Sequence, residues 1–151
     1  MSQPTQYVDV VIPTKDPSRI IFSCLESLSS QVVPQGWFFS IIVVDDGSLV
    51  PVDIDEIDFQ CPITVLRHSE NKGRAPAINT GVAYSQADAC WVLDSDCILP
   101  SKQSLGVMID HYTSGKSYCF GRTEARGEDF WAKYHNDVAK KRLVEAAFSD
   151  Y

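Results

Sequence analysis

Trp37-Phe38-Phe39-Ser40-Ile41-Ile42-Val43-Val44-Asp45-Asp46-Gly47-Ser48 decides the architecture of this chain. From Trp37 to Val44 every side chain but Ser40 is apolar, so apolar residues fall on both faces of an extended backbone. A strand that buries only one face alternates apolar with polar residues, so this run reads as a central strand of a parallel sheet covered on both sides. It stops at two adjacent carboxylates, a glycine and a serine. Parallel strands end along one shared edge, and ligands of open α/β sheets bind just outside it. Asp45 and Asp46 mark that edge.

Upstream, Tyr7 to Ile12 is a second β-branched run, closed by Pro13, with its carboxyl end at Pro13-Thr14-Lys15. Asp16 before Pro17 reads as the cap and first position of a helix, and Ile20, Ile21, Cys24, Leu25 and Leu28 recur at helical spacing. Val33-Pro34-Gln35-Gly36 is the loop back to the central strand. Downstream, Asp53, Asp55, Glu56 and Asp58 surround two isoleucines and read as solvated surface. Ile63 to Leu66 is a short third strand, followed by the loop Arg67-His68-Ser69-Glu70-Asn71-Lys72-Gly73-Arg74 and a helix with Ala75, Ile78, Val82 and Ala83 on its apolar side.

Cys90 to Leu93 forms the fourth strand and runs into Asp94-Ser95-Asp96. Ser101 then caps a helix with Leu105, Met108, Ile109 and Tyr112 on one face and Gly115 at its end. Ser117 to Gly121 predicts a fifth strand. The tail from Glu128 to Phe148 has Phe130, Trp131, Tyr134, Val138, Leu143 and Val144 at helical spacing, an apolar stripe that needs a partner surface, from a second copy or another chain. Strands alternating with helices indicate an α/β domain with a mainly parallel sheet and right-handed crossovers.

Composition bounds the function. The 151 residues, 44% hydrophobic and 22% charged, suit one globular domain. A net charge of −7 excludes general affinity for nucleic acid or anionic membrane, so an anionic ligand must be met by a local basic group. The amino terminus has no basic n-region and no apolar run is long enough to span a bilayer, from which a cytoplasmic product is expected. The five cysteines show no C-x-x-C spacing, so neither a disulfide framework nor a zinc knuckle is indicated.

All the polar motifs fall at the carboxyl edge. Pro13, Thr14 and Lys15 follow the first strand, Asp45 and Asp46 the second, the basic loop the third, and Asp94, Ser95 and Asp96 the fourth. In extended chain, Asp94 and Asp96 send their carboxylates to one face while Ser95 points away, so one cation can meet both. Hard ions such as magnesium or manganese prefer carboxylate and phosphate oxygens and keep positions open for a diphosphate. Asp96 is the first candidate ligand and Asp94 the second. Lys72 and Arg74, with Arg67 and His68, supply positive charge where a diphosphate would lie. Asp45 and Asp46 can accept hydrogen bonds from a nucleobase and ribose, or else form a tight turn with Gly47. A bare D-x-D also has a structural reading, as a cap of the helix after Pro100.

Taken in order, these segments resemble the inverting family-2 glycosyltransferases of GT-A type. Val11-Ile12-Pro13-Thr14 is similar to that family's first strand, Ile42 to Ser48 to its second, Asn71-Lys72-Gly73-Arg74 with Ala77-Ile78-Asn79-Thr80-Gly81 to its loop and helix, and Leu93-Asp94-Ser95-Asp96 to its D-x-D segment. The resemblance covers about the first hundred residues. It implies a Rossmann-like, mainly parallel sheet flanked by helices and a donor such as a UDP- or GDP-linked sugar. Thr14, Asp46 and Arg74 would contact the nucleotide, Asp94 would lie by ribose and diphosphate, and Asp96 would hold manganese or magnesium.

The resemblance also implies an acceptor-binding part with a catalytic carboxylate, often in a Glu-Asp pair. The chain stops at Tyr151, so that part is expected to be missing. Glu128-Asp129 is the one such pair, nearer to Asp96 than the family's base falls, and it reads more simply as the acidic first turn of a helix. If transfer occurs, the metal with Lys72 or Arg74 stabilises the leaving diphosphate while a carboxylate deprotonates the acceptor, through an oxocarbenium-like transition state. A non-catalytic nucleotide-sugar-binding module and a nucleotidyltransferase-like enzyme are the competing expectations.

Overall fold

Four parallel strands, β1 (Gln6–Thr14), β2 (Trp37–Asp45), β3 (Ile63–Arg67) and β4 (Ala89–Val92), form a sheet in the order β3-β2-β1-β4. The computed structural model describes residues 5–54, 59–115, 124–125, 127–129, 132–133 and 136. The register pairs Thr14 with Asp45 and Asp45 with Arg67, so the carboxyl ends of β1, β2 and β3 stand in one row. β4 pairs with Val8 to Val11 of β1 and ends below that row. Pro13 lies inside β1, one residue beyond the expected strand end. Val11 accepts from Leu93 on the β4 side, and Pro13 faces the same way two residues later, where β4 no longer pairs. The missing N–H of proline therefore costs no ladder bond.

Both faces of the sheet are covered, as the apolar run in β2 requires. Helix α1 (Ile20–Ser29) joins β1 to β2 and packs Ile21, Cys24, Leu25 and Leu28 with Val8, Val10, Ile12, Ile41 and Val43. Helix α3 (Ser104–Thr113) adds Leu105 and Ile109 to the same core. Helix α2 (Arg74–Tyr84) joins β3 to β4 and lies on the opposite face, against Val11, Ile42 and Val44. The chain moves outward from β1 to β3 and then returns past β1 to β4. Keeping one crossover hand on that return requires the connecting helix to change face.

Three local expectations change. Asp16 does not cap α1, which begins at Ile20 behind Arg19. Asp16 instead takes φ 45°, donates its N–H to Ser48 Oγ at 2.8 Å and accepts the Leu49 N–H at 2.7 Å, tying the loop after β1 to the loop after β2. Ser101 lies a turn ahead of α3, and the Leu105 N–H in that helix's first turn is met at 2.9 Å by the buried Gln31 side chain, which also donates to Ser101 O at 2.8 Å. Across α2, Ala75, Val82 and Ala83 face solvent, and Ala77 and Gly81 face the sheet. The Ser117–Gly121 strand and nearly all of the tail helix fall outside the described residues.

Close approach selects the small residues. A Cβ on Gly81 would lie 2.4 Å from Val11 Cγ1 and 3.1 Å from Val44 Cγ2, two core side chains with no room to retreat. Gly81→Ala gains about 1 kcal/mol of helix propensity but overpacks the core by about 1–3 kcal/mol. A net loss of stability of about 1 kcal/mol is expected, read as a lower urea midpoint at unchanged slope. A higher midpoint would show that α2 can lift off the sheet.

Candidate functional site

In the strand order 3-2-1-4 the connections leave β1 in opposite directions, so a crevice opens between the carboxyl ends of β1 and β4. Thr14 and Ser95 stand on its two sides with their hydroxyl oxygens 3.2 Å apart. Asp94, Ser95 and Asp96 are not in extended chain: β4 ends at Val92, and the Cys97 N–H closes a turn on Asp94 O at 3.0 Å. The period-two argument therefore fails here. The turn aims Ser95 at Thr14 and leaves Asp94 and Asp96 exposed on either side of it.

Arg74, the first residue of α2, reaches Asp94 Oδ1 through Nη2 at 2.6 Å and Nε at 3.1 Å. The two side chains are 61% and 52% exposed, so this pair contributes at most about 1 kcal/mol and is readily exchanged for a stronger partner such as a diphosphate. The Lys72 side chain is also exposed at this edge. Lys15 is paired instead with Asp16.

The other two expected cations are turned inward. Arg67 donates from Nη1 to Asp45 Oδ2 and from Nη2 to Ser48 O, each at 2.7 Å. His68 is buried against Asp46. His68 is buried and cannot reach a phosphate, whereas Arg67 is partly exposed but already spends Nη1 and Nη2 on Asp45 and Ser48. Sequence alone gives four basic residues without showing which carboxylates lie beneath them.

Asp45 is 0% exposed. Its Oδ1 accepts the Ser48 N–H at 2.9 Å, and its Oδ2 accepts the Val52 N–H at 3.2 Å as well as Arg67. Burial pushes its carboxyl up, but the Ser48 and Val52 hydrogen bonds and the Arg67 charge outweigh that and hold it below the ordinary carboxylate value. The expectation that Asp45 meets a nucleotide is thus corrected. It is a bracket for the crevice wall, with no surface a ligand could reach.

Asp46 is 4% exposed and serves the next loop. Oδ1 accepts the Lys72 N–H at 2.9 Å and the His68 ring at 2.7 Å, and Oδ2 accepts the Gly73 N–H at 2.7 Å. Burial again raises the pKa and these hydrogen bonds, led by the Lys72 amide, bring it below the ordinary value. A carboxylate has about four lone-pair positions, so Oδ2 keeps one. The role of Asp46 in organising this loop is not legible in the residues, since the bonds run to backbone amides more than twenty residues away.

Cys24 is pushed up to about 12 by burial, then by Cys97 and Asp96. Burial, then Asp96 and Asp94, raises Cys97. The exposed Asp94 and Asp96 carboxylates are the oxygen donors here that suit a hard divalent ion. Among the described residues no group of three or more histidines, cysteines and acids could hold a metal.

Glu128 and Asp129 are exposed. Asp129 Oδ1 accepts the Ala132 N–H at 2.8 Å and its carbonyl accepts the Lys133 N–H at 3.2 Å, which is the work of a helix cap. Among the described residues no helix is long and apolar enough to cross a membrane.

The geometry has relatives. The chain is 36% identical over 106 residues to a pre-mycofactocin glycosyltransferase of Mycobacterium tuberculosis, covering 70% of this chain and 21% of that protein. It is 26% identical over 143 residues to a dolichol-phosphate mannosyltransferase of Pyrococcus furiosus, covering 91% of this chain and 39% of that one. The chain thus spans only a fifth to two fifths of the length of these relatives. Among solved structures, S. aureus TarS superposes with a TM-score of 0.58 at 23% identity, over 70% of this chain and 33% of the TarS chain. The mannosyltransferase PcManGT from Pyrobaculum calidifontis, solved in complex with GDP-Man and Mn2+, gives 0.59 at 22% identity, over 72% and 32%. These neighbours share the GT-A fold: a mainly parallel sheet with flanking helices. The family model described as glycosyl transferase family 2 matches residues 9–149, and the chain belongs to that family of glycosyltransferases.

Proposed function

We propose that the crevice between β1 and β4 binds the nucleoside diphosphate of a sugar donor, and that the protein of which it is part transfers the sugar to an acceptor by an inverting displacement. The observation that carries this reading is the convergence of Thr14, Ser95, Asp94, Asp96 and Arg74 on the switch point of the sheet. Thr14 and Ser95 offer hydroxyls to the nucleoside or ribose, and Asp46 offers the remaining acceptor position of Oδ2 to a base N–H. Lys72 and Arg74 face the diphosphate, Arg74 leaving Asp94 to do so. The related structures solved with UDP-GlcNAc and with GDP-Man and Mn2+ support this class of donor.

Asp96, with Asp94 beside it, is the place for manganese or magnesium. When bound, the ion supplies positive charge to the departing diphosphate. Asp94 keeps Oδ2 clear of Arg74 for this purpose. We assign the acceptor's proton to neither Glu128 nor Asp129: both are exposed, and the Oδ1 of Asp129 accepts the Ala132 N–H as a helix cap does.

Calorimetric titration with UDP and with GDP, in manganese and in EDTA, tests the reading. Binding is expected to strengthen about tenfold with manganese, an increment of about 1.4 kcal/mol. Asp96→Ala should remove that increment and leave the metal-free affinity in place. Equal manganese enhancement in wild type and variant would move the cation elsewhere, and no affinity for either nucleotide would end the donor-site reading.

A further inference from the structure

His68 is a buried side chain in an otherwise exposed polar loop, and none of the donor contacts above uses it. Its Nδ1 lies 2.7 Å from Asp46 Oδ1 and its Nε2 lies 2.9 Å from Thr80 Oγ1. An ionised carboxylate only accepts, so Nδ1 carries a proton, while Nε2 and the Thr80 hydroxyl share the second hydrogen bond. The imidazole therefore bridges the end of β2 to the middle of α2. The His68 N–H also donates to Asp45 O at 2.8 Å, while Lys72 and Gly73 close on Asp46 from the other end of the loop. The loop returns to the carboxylate from which it started, and Arg74 opens α2 one residue later.

We propose that His68 is a positioning residue: by holding Asp46 and Thr80 together it fixes the 69–73 loop so that Lys72 and Arg74 meet the diphosphate of the donor. The proposal rests on the donor-site reading and adds a group that touches no ligand. Carboxylate, imidazole and hydroxyl stand in the order of a hydrolase triad. Thr80 nevertheless lies within α2, where the backbone N–H groups are engaged by the helix and none is left to stabilise an oxyanion. The chain of hydrogen bonds serves geometry.

The role predicts a selective loss. His68→Ala should weaken UDP or GDP binding in manganese about tenfold while the parent nucleoside, uridine or guanosine, keeps its affinity within about twofold, because the loop carrying Lys72 and Arg74 moves whereas Asp46 stays at the end of β2 through its own N–H on Thr14 O. His68→Asn puts an amide N–H near the place of Nδ1 and should recover most of the loss. Thr80→Val removes only the far arm, leaves a folded protein for comparison, and should show a smaller loss of the same kind. In a Lys72→Ala/Arg74→Ala background His68→Ala should add nothing.

Amide exchange separates this role from the donor-site reading, since faster exchange at Lys72 and Gly73 in His68→Ala reports the clamp without any ligand. Faster exchange together with a diphosphate-selective loss supports the proposal. Unchanged exchange overturns it, as does faster exchange with diphosphate affinity intact or with nucleoside and nucleotide weakened equally. Wild-type protein that binds no nucleotide, with exchange still faster in the variant, overturns the role through the failure of the donor site and not of the clamp.

Discussion

Asp45→Ala is expected to lower the unfolding free energy by about 3–5 kcal/mol, a large part of what a domain of this size possesses. The carboxylate is fully buried and satisfies the Ser48 and Val52 amides and Arg67. Each buried amide left without an acceptor costs about 1–3 kcal/mol. Arg67 is 38% exposed and can turn to water, so the amides dominate the loss. The sign with pH follows from the depressed carboxyl. The contribution is complete above the unfolded carboxylate value, about 3.9, and disappears as pH falls through the lower folded value. Denaturant unfolding of wild type and variant should show a constant gap from pH 5 to 7, about 3–5 kcal/mol, that narrows below about pH 4. A gap unchanged in acid would mean that the ionised form is not what the fold uses.

Gly47→Ala is the second large effect, about 2–4 kcal/mol in stability together with at least a tenfold loss of nucleotide affinity. Gly47 has φ 71°, a conformation that costs a side-chain-bearing residue about 1–2 kcal/mol. A Cβ there would also lie 2.5 Å from Glu70 C and 2.6 Å from Asn71 N, which are backbone atoms of the loop fixed by Asp46. The loop must shift outward, and its amides at Lys72 and Gly73 leave the carboxylate with it. Thermal unfolding and UDP or GDP titration check both halves. A destabilised variant with undiminished affinity would detach the loop from donor binding. Gly36, also at positive φ but with open space around it, should show only the conformational cost on the same substitution.

Much of the fold is legible in the residues because it rests on local periodicity. The two-faced apolar run of β2 announces a covered parallel strand, and the runs before and after it supply β1, β3 and β4 within one or two residues of their ends. Helix starts are less legible. Asp16-Pro17 has the composition of a helix opening, yet Asp16 is claimed by Ser48 and Leu49, more than thirty residues away. The apolar stripe of α2 misleads for a related reason: Ile78 and Val82 have the greater hydrophobicity, but the spacing between helix and sheet admits only Ala77 and Gly81.

At the crevice, the sequence by itself determined which residue types stand at the carboxyl ends of the strands, because a parallel strand places whatever follows it at that edge. It determined the order of motifs and, through them, the family. Tertiary structure alone decided which of those residues are spent within the fold and which stand exposed at its edge. Asp45, Arg67 and His68 look as available in the chain as Asp94, Arg74 and Lys72, but Asp45 and His68 are buried, Arg67 is bonded to Asp45 and Ser48, and the second three stand exposed at the rim of the crevice. A carboxylate's chemistry is written in its residue type; whether that chemistry is already satisfied depends on amides and guanidinium groups that only folding brings within 3 Å or so of it.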